Sequence, residues 1–316
     1  MTELTVTTPT WLDRNQYPFT HHFMEMPEGR IHYVDEGDGQ PVVFVHGTPT
    51  WSFVYRHLIR DLSRDMRCIA PDHLGFGLSD KPRSEGYHPA DHARRLETFL
   101  DKLNLDRCIL VLHDFGGPIG LDWATRFPQR VKGLVLLNTW MWSQSDDPKT
   151  VWTSRLVRSP VGRFLYYWAN FSPRVLLKMA FADSSRLTAE IHRHYLAPFD
   201  MRKQRRGPWV LGCELDSEWY DAIWERRDAV ADLPSRLIWG LEDPIFRPEQ
   251  LRRLESVFKR AHTLRLEGVG HFAQEEAPDR CIETIRGLAA ELADITGDDS
   301  SRPWRNEGRR IEKRPP

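Results

Sequence analysis

One short stretch, residues 108–118, constrains the fold more than any other part of the chain. Its first five residues, CILVL, are apolar and too few for a buried helix, which predicts a buried parallel strand. Two glycines and a proline then break the strand, and helical spacing resumes at Ile119. A strand, a tight turn and a helix, with one reactive side chain at the turn, is the arrangement of a nucleophile elbow. Asp114 occupies the position of the nucleophile.

The elbow has a second interpretation, because an Asp before a helix is also a common N-cap residue. Gly116 and Gly117 leave room for a kinked backbone and for close packing of strand and helix. Amide groups at the start of the helix favour developing negative charge at the same point. Asp114 alone therefore does not decide between capping and catalysis, and the rest of the chain is needed.

Strands and helices alternate on both sides of the elbow. Predicted strands cover residues 30–36, 41–45, 66–70, 108–112, 133–137, 235–239 and 262–266, with 30–36 as an edge strand. Predicted helices cover residues 51–62, 88–103, 119–126 and 278–295, whereas residues 1–28 show little regular pattern. This alternation predicts an α/β fold, a mostly parallel sheet with helices on both faces that binds ligands beyond the carboxyl ends of its strands.

The alternation stops between residues 140 and 228, a stretch that is helical, irregular and contains seven of the twelve tryptophans. We expect an inserted helical cap here, over a core made of residues 1–139 and 229–295. Most of its rings would form the cap's own core, and some would line an apolar pocket. The basic run 201–206 is expected to be a solvated face, with docking of a partner as the weaker alternative. Residues 296–316 are charged and predicted to be disordered.

Composition excludes several classes of function. A net charge of −1 gives no electrostatic argument for nucleic acid, and no apolar run approaches the roughly 18 residues that span a bilayer. The first residues lack the basic and apolar regions of a signal peptide. The four cysteines form no CxxC pair. We therefore expect a cytoplasmic protein without disulfides, and neither a metal nor a cofactor is expected.

Two further residues complete a catalytic pattern. Asp243 follows a later predicted strand, and His271 follows the last one. Individually, Asp243 has an alternative role as a turn residue before Pro244, and a lone histidine is more often structural. Together with Asp114 they give nucleophile, acid and histidine, which is the chain order of α/β-hydrolase triads.

These residues resemble a known family. The turn 46–49 (HGTP), the loop 75–80 (GFGLSD), the elbow, Asp243 and His271 together are similar to the haloalkane dehalogenase and epoxide hydrolase branch of the α/β-hydrolases, over roughly residues 25–295. The resemblance implies an oxyanion hole formed by the backbone N–H groups of Phe115 and Thr48, with His271 as base or proton shuttle oriented by Asp243. One departure is Leu112, which stands where a small residue is usual.

The residue after the nucleophile bears on the leaving group. Haloalkane dehalogenases typically have a Trp there, whose indole N–H holds the halide, and often an Asn in the HGxP turn. Here the two residues are Phe115 and Thr48. Losing one anion donor in a dry site can cost on the order of 3 kcal/mol of transition-state stabilisation. We therefore expect that halide is not the natural leaving group, although Trp142 or Trp168 from the cap could supply one donor.

The elbow, residues 51–56 and residues 137–140 look most similar to the β-lactone decarboxylases of bacterial long-chain olefin biosynthesis. That resemblance implies conversion of a cis-dialkyl β-lactone into a cis-alkene and carbon dioxide through a covalent Asp114 intermediate. It further implies a hydrophobic substrate and an assembly with other enzymes of the olefin pathway. The predicted pocket residues are Asn138, Trp140, Trp142, Trp168 and Phe272.

Three alternatives stay open at this point. The first is a haloalkane dehalogenase that releases halide by hydrolysis. The second is an epoxide hydrolase, which would need Tyr166 or Tyr167 of the cap to protonate the epoxide oxygen. The third is a hydrolase-fold protein that binds a ligand without catalysis, since fold does not fix function.

Overall fold

The computed structural model describes residues 9–83 and 86–296. Its strands are β1 (His22–Met26), β2 (Gly29–Glu36), β3 (Gln40–Val45), β4 (Met66–Pro71), β5 (Cys108–Asp114), β6 (Val131–Thr139), β7 (Ser235–Gly240) and β8 (Ala261–Leu266). They form one sheet in the order β1-β2-β4-β3-β5-β6-β7-β8. β2 pairs antiparallel with β1 and β4, and all other neighbours are parallel. The predicted α/β-hydrolase architecture with a mostly parallel sheet is confirmed.

Helices cover both faces of this sheet. They are α1 (Arg56–Leu62), α2 (Pro89–Lys102), α3 (Gly116–Arg126), α4 (Pro148–Arg158), α5 (Pro160–Tyr167), α6 (Leu177–Met179), α7 (Ala189–Leu196), α8 (Arg206–Cys213), α9 (Trp219–Glu225), α10 (Pro248–Val257), α11 (Ala273–Glu276) and α12 (Pro278–Thr296). On β5, Leu110 and Leu112 belong to one apolar core, and Ile109 and Val111 to the other. Because each face carries its own core, the central strands are apolar throughout rather than alternating.

The amino-terminal side of the sheet differs from the prediction. β1 lies in a region where no regular structure was predicted, and it makes β2 the second strand rather than the edge. Only Met26 of its five residues is buried, so β1 lacks the alternating burial that would reveal a half-buried strand in the sequence. The predicted helix 51–62 also begins with a 3₁₀ turn, Ser52–Tyr55, before α1.

Helices α4 to α9 lie between β6 and β7, and residues 140–234, which are described throughout, contain no strand. We propose that residues 140–228 act as a cap, and we call α4–α9 the cap helices. Asp147 caps α4 by accepting hydrogen bonds from two backbone N–H groups, and Ser159 caps α5 by accepting one, from the Gly162 N–H.

Two observations concern the ends of the chain and the membrane. The predicted tail lies outside the described residues, apart from Thr296 at the end of α12. Within the described ranges, none of the helices combines the length and apolarity that crossing a bilayer requires.

Candidate active site

Asp114 is the last residue of β5 and is held in a left-handed backbone conformation, with φ of 52°. α3 starts two residues later, and close backbone approach explains its glycines. A Cβ atom on Gly116 would lie 2.0 Å from the Val45 carbonyl oxygen, and one on Gly117 would lie 1.7 Å from Thr139 Oγ1. Strand, strained residue and glycine-led helix together form the nucleophile elbow that the sequence predicted.

The unusual Leu112 is accommodated by a third glycine. A Cβ atom on Gly120, one turn into α3, would lie 2.4 Å from Leu112 Cδ2. The large Leu112 side chain on the strand is therefore offset by the missing side chain of Gly120 on the helix that packs against it. The elbow keeps its close strand–helix packing by this exchange.

The Asp114 carboxylate is buried, with 5% of the residue exposed. Its Oδ1 accepts a hydrogen bond of 2.8 Å from the backbone N–H of Thr48. Burial raises the pKa of Asp114 to about 6, although His271 and the backbone N–H groups of Phe115 and Thr48 favour the carboxylate. The two N–H groups predicted for the oxyanion hole thus converge on the Asp114 side chain.

His271 lies between two carboxylates. Its Nδ1 bonds to Asp243 Oδ2 at 2.8 Å, and its Nε2 lies 3.7 Å from Asp114 Oδ2. Burial opposes the imidazolium, but Asp243 and Asp114 raise the pKa of His271 above its ordinary value. Its backbone is fixed as well, because its N–H donates to the Ala180 carbonyl and its carbonyl accepts from His113 Nε2. The structure therefore brings together the three residues of the predicted triad.

Asn138 lies behind the triad rather than in front of it. Its Nδ2 donates to Asp243 Oδ2 at 2.8 Å and to the Gly240 carbonyl at 3.2 Å, and its Oδ1 accepts from the Gly240 N–H at 2.9 Å. All of its polar groups face protein, and it is fully buried. The Asn138 amide and the Ile245 N–H, which bonds Asp243 Oδ1 at 2.7 Å, together hold the Asp243 carboxylate, and a place for Asn138 in the substrate pocket stays a prediction.

Two adjacent glutamates after His271, which we call the glutamate pair, were not foreseen. The Glu276 carboxylate accepts from the Gly270 N–H at 2.9 Å, and from the N–H groups of Ala182 at 3.0 Å and Asp183 at 3.2 Å. Gly270 precedes His271, whereas Ala182 and Asp183 lie between cap helices α6 and α7. One buried carboxylate thus joins the histidine loop to the cap.

Glu275, the other member of the pair, forms a buried ion pair with Arg56 of α1. The Glu275 carboxylate bonds both terminal nitrogens of Arg56, Oε2 at 2.9 Å from Nη2, and it also accepts from the hydroxyl of Tyr195 in cap helix α7. Arg56 is fully buried, with its guanidinium 4.0 Å from the Phe53 ring centroid. The sequence signal for this network was two consecutive acidic residues shortly after His271.

Aromatic rings surround the triad. The Phe115 ring meets Trp140 edge to face at 4.9 Å, Trp140 stacks on Phe246 at 5.3 Å, and Phe246 stacks on His271 at 5.6 Å. Phe272 lies 4.8 Å from the His271 ring. Phe246 was missed, because a single Phe in a loop carries no pattern. The indole N–H of Trp140 is buried and has no acceptor among the described residues.

The other two predicted pocket tryptophans lie elsewhere. Trp142 packs against Trp224 at 5.6 Å, under the guanidinium of Arg253. Trp168 is 61% exposed, with Arg202 3.8 Å from its ring centroid. The prediction that Trp168 lines the pocket is therefore corrected: its ring lies on the outer face of α5, where solvent reaches it.

Metal chemistry has no obvious site in this part of the chain. The described residues contain no group of three or more His, Cys, Asp or Glu side chains that could hold a metal ion.

Comparisons with a family model and with known proteins all indicate the same family. Residues 40–278 match the family described as alpha/beta hydrolase fold. The chain is 38% identical over 277 residues to haloalkane dehalogenase 2 of Mycobacterium tuberculosis, covering 86% of this chain and 96% of that protein. It is 33% identical over 289 residues to the cis-3-alkyl-4-alkyloxetan-2-one decarboxylase of Shewanella oneidensis, covering 87% and 89%.

Solved structures agree. The haloalkane dehalogenase DbeA from Bradyrhizobium elkani matches with a TM-score of 0.80 and 25% identity, covering 88% of this chain and 99% of that one. The dehalogenase DatA from Agrobacterium tumefaciens matches with a TM-score of 0.77 and 28% identity, covering 87% and 97%. This chain therefore belongs to the α/β-hydrolase family, in the branch that contains haloalkane dehalogenases and β-lactone decarboxylases.

Proposed function

We propose that this chain is a β-lactone decarboxylase, which converts a cis-dialkyl β-lactone into a cis-alkene and carbon dioxide. The observation that carries the proposal is the pair of residues beside the nucleophile. Asp114 has a full elbow and triad, yet the side chain of Phe115 is a ring without a donor, and Thr48 offers its backbone N–H and a hydroxyl. A lactone needs no halide donors, because its leaving carboxylate stays attached to the substrate.

In the first possible route, Asp114 attacks the ring carbon that bears oxygen. The C–O bond of the lactone breaks with inversion, leaving an alkyl ester on Asp114 and a free carboxylate on the neighbouring carbon. The C–CO₂ electron pair then forms the double bond while the ester C–O bond breaks. Anti elimination after inversion gives the cis-alkene, and Asp114 returns as a carboxylate without consuming water.

In the second route, Asp114 attacks the carbonyl carbon, and the ring acyl C–O bond breaks to give a transient anhydride and an alkoxide on the neighbouring carbon. The alkoxide attacks the Asp114 carbonyl of the anhydride, which frees the substrate carboxylate and leaves an alkyl ester on Asp114 with retained configuration. Syn loss of CO₂ with cleavage of the ester C–O bond then gives the cis-alkene and restores the Asp114 carboxylate. The N–H groups of Phe115 and Thr48 would then stabilise the tetrahedral oxyanion. In both routes His271, held by Asp243, positions the charged groups beside Asp114, and it is not needed to activate water. The rings of Phe115, Trp140, Phe246 and Phe272 fit a substrate with two alkyl chains.

Haloalkane dehalogenase is the second candidate, and two observations favour it. The first is the 38% identity to haloalkane dehalogenase 2. The second is the unpaired indole N–H of Trp140, on a ring that touches Phe115. This N–H would replace the missing donor beside Asp114. In this reaction His271 would activate a water that hydrolyses the Asp114 ester.

The remaining alternatives have less support. An epoxide hydrolase would need an acidic tyrosine, but burial raises the pKa of Tyr166 above its ordinary value and makes it a poorer acid. A silent binding protein would not need His271 hydrogen-bonded to Asp243 and held 3.7 Å from Asp114. We further propose that the chain works in the cytoplasm, beside the enzymes that make its lactone.

The test is a direct comparison of a cis-dialkyl β-lactone with 1-bromobutane, using gas chromatography for alkene and a halide assay for bromide. We expect alkene formation with little bromide release. Brisk bromide release without alkene would reverse the assignment, and it would point to Trp140 as the donor. An Asp114→Ala sample run in parallel controls for spontaneous breakdown of the lactone.

Replacing Phe115 by Trp should increase bromide release. The added indole N–H would lie beside Asp114, and one anion donor in a dry site is worth roughly a hundredfold in rate. Because the larger ring must also fit against Trp140, we expect a gain of about tenfold or more. Phe115→Leu is the matched control, since it changes the packing without adding a donor. Equal rates for the two variants would count against the donor argument.

The pH dependence follows from Asp114. Burial raises its pKa to about 6, so the nucleophilic carboxylate is lost as the pH falls through that value. We expect kcat/KM for an uncharged lactone to fall about tenfold per pH unit below the midpoint and to level off above it. The measurement is a pH–rate profile on the free enzyme. A rate that stays constant down to about pH 4.5 would mean that Asp114 has an ordinary carboxyl pKa or is not the nucleophile.

A further inference from the structure

The first part of the cap, residues 148–206, carries a charge that the chain as a whole does not, whereas residues 207–225 contain five acidic and no basic side chains. Residues 148–206 contain twelve Lys or Arg and three Asp or Glu, a formal charge of +9 in a chain whose net charge is −1. The remainder of the chain is correspondingly acidic. Such an asymmetry produces a strong positive potential on one side of a protein and favours association with anionic partners.

The same region exposes large apolar side chains. Nine of the ten exposed large hydrophobic residues in the described part of the chain lie between residues 152 and 201. Trp152 is 64% exposed, Val161 60%, Phe164 57% and Met179 66%. Single exposed hydrophobic residues are normal on a protein surface, but nine within fifty residues of one helical segment indicate an interaction surface.

Helical spacing groups these side chains on outward faces. α4 buries Ser154 and Val157 and exposes Trp152 and Leu156, which are one turn apart. α5 buries Gly162 and Tyr166. On its exposed side, the rings of Phe164 and Trp168 stack at 6.1 Å. Both helices therefore carry an apolar row that faces away from the protein core and is exposed among the described residues.

A groove of about 900 Å³ adjoins these rings, and Phe164 and Trp168 form part of its wall. Five cationic side chains also line it, namely Arg83, Arg163, Arg202, Lys203 and Arg206. Among the described residues that line the groove, no side chain is a carboxylate. Apolar rows beside uncompensated cations are the composition of helices that lie at a membrane–water interface.

We propose that this surface, the exposed side of residues 152–206, binds a lipid bilayer that contains anionic lipids. The aromatic and aliphatic side chains enter the boundary between headgroups and acyl chains, and the guanidinium and ammonium groups contact lipid phosphates. A second copy that docks through the same surface is a poor occupant, because two surfaces of the same strong positive charge repel. The proposal does not depend on which reaction Asp114 carries out. It places the cap against the lipid phase, from which an apolar substrate can enter.

The test uses the full-length protein and vesicle flotation. We expect the protein to float with phosphatidylcholine vesicles that contain about one third phosphatidylglycerol, and to stay behind with pure phosphatidylcholine. Raising the salt to about 0.5 M should weaken binding, since screening shortens the range of the charges. Failure to float with the anionic vesicles, or equal flotation with both compositions, would overturn the proposal.

Two variants locate the contact. Arg163→Gln/Arg202→Gln/Lys203→Gln should bind about 100-fold more weakly, from a cost of roughly fivefold per removed cation. The matched control is Arg64→Gln/Arg252→Gln/Lys259→Gln, which removes three well-exposed cations outside the cap, 72%, 64% and 66% exposed. It should bind nearly as well as the unaltered protein. Equal losses in the two triple variants would mean that overall charge, not this surface, binds the vesicle.

The apolar contribution has its own variant, Trp152→Ser/Phe164→Ser, which should also lose binding. Thermal unfolding of each variant verifies that the fold is kept, as expected for exposed positions.

Polyglutamate serves as a probe for an acidic protein partner. A chain that ignores vesicles but binds polyglutamate through the same cations would assign the surface to an acidic protein and refute the lipid proposal. Dimers that the same substitutions dissociate would refute it in favour of self-association.

Discussion

Asp114→Asn should lower alkene formation by about 10⁴-fold or more, because removing a nucleophile that acts in a unit with its base abolishes most of the catalysis. The substitution preserves the shape of the side chain. Asn also tolerates the positive φ of 52° at this position better than other residues do. The amide oxygen can still accept from the Thr48 N–H. The variant therefore removes nucleophilicity while leaving the elbow folded.

The measurement is single-turnover alkene formation with purified variant and lactone, alongside thermal unfolding to verify the fold. A mass adduct on the Asp114 peptide, captured by acid quenching of the unaltered enzyme, would identify the covalent intermediate. Retention of more than about one hundredth of the activity would show that Asp114 is not the nucleophile. Asp114 would then have a structural role, as the acceptor for the Thr48 N–H; it does not cap α3, whose N-cap is Phe115 without a side-chain hydrogen bond.

Glu275→Gln should lower the free energy of unfolding by about 3–5 kcal/mol, since it leaves the buried guanidinium of Arg56 without a countercharge. Arg56 is fully buried, and the Glu275 side chain is 4% exposed. The variant keeps the volume of the side chain and one acceptor for Tyr195. The cost therefore comes from the uncompensated charge rather than from a cavity.

The matched control for this prediction is Glu249→Gln, which removes the same charge from a solvent-exposed pair. The Glu249 and Arg252 side chains are 65% and 64% exposed, 2.7 Å apart. Such an exposed pair contributes little to stability, because water and salt screen the attraction. Urea unfolding of both variants gives the comparison. Similar stabilities for the two would mean that water reaches Arg56 and that the buried ion pair is not a stabilising contact of the cap.

The nucleophile elbow and the chain order of the triad were predictable because both are local. A strand, a turn and a helix are encoded within ten residues, and the residues that follow parallel strands meet at one edge of the sheet. Orientation was not predictable. Asn138 occupies the same edge as Asp114, but the direction of its amide, toward Asp243, depends on the neighbouring strand β7. Trp168 has helical neighbours that resemble those of a buried ring, and only tertiary packing leaves it outside.

Residues that compensate for one another from distant positions in the chain were also not predictable from the sequence. Leu112 violates the usual elbow pattern by itself, and Gly120 has no obvious purpose by itself. The two make sense only once β5 and α3 are packed together. The same holds for the glutamate pair, whose partners Arg56, Tyr195 and Asp183 lie 80 or more positions away along the chain.

The glutamate pair couples the position of the cap to the position of His271. Ala180 accepts from the His271 N–H, and Glu276 holds Gly270 and the neighbouring cap residue Ala182 at the same time. Displacing residues 180–183 therefore breaks the hydrogen bonds that position His271. A movement of the cap that admits substrate without disturbing His271 must therefore involve other cap residues. Helices α4 and α5, which bear the apolar rows, make none of these hydrogen bonds. His271 is held beside Asp114 and Asp243 only while residues 180–183 stay packed against the loop that carries it.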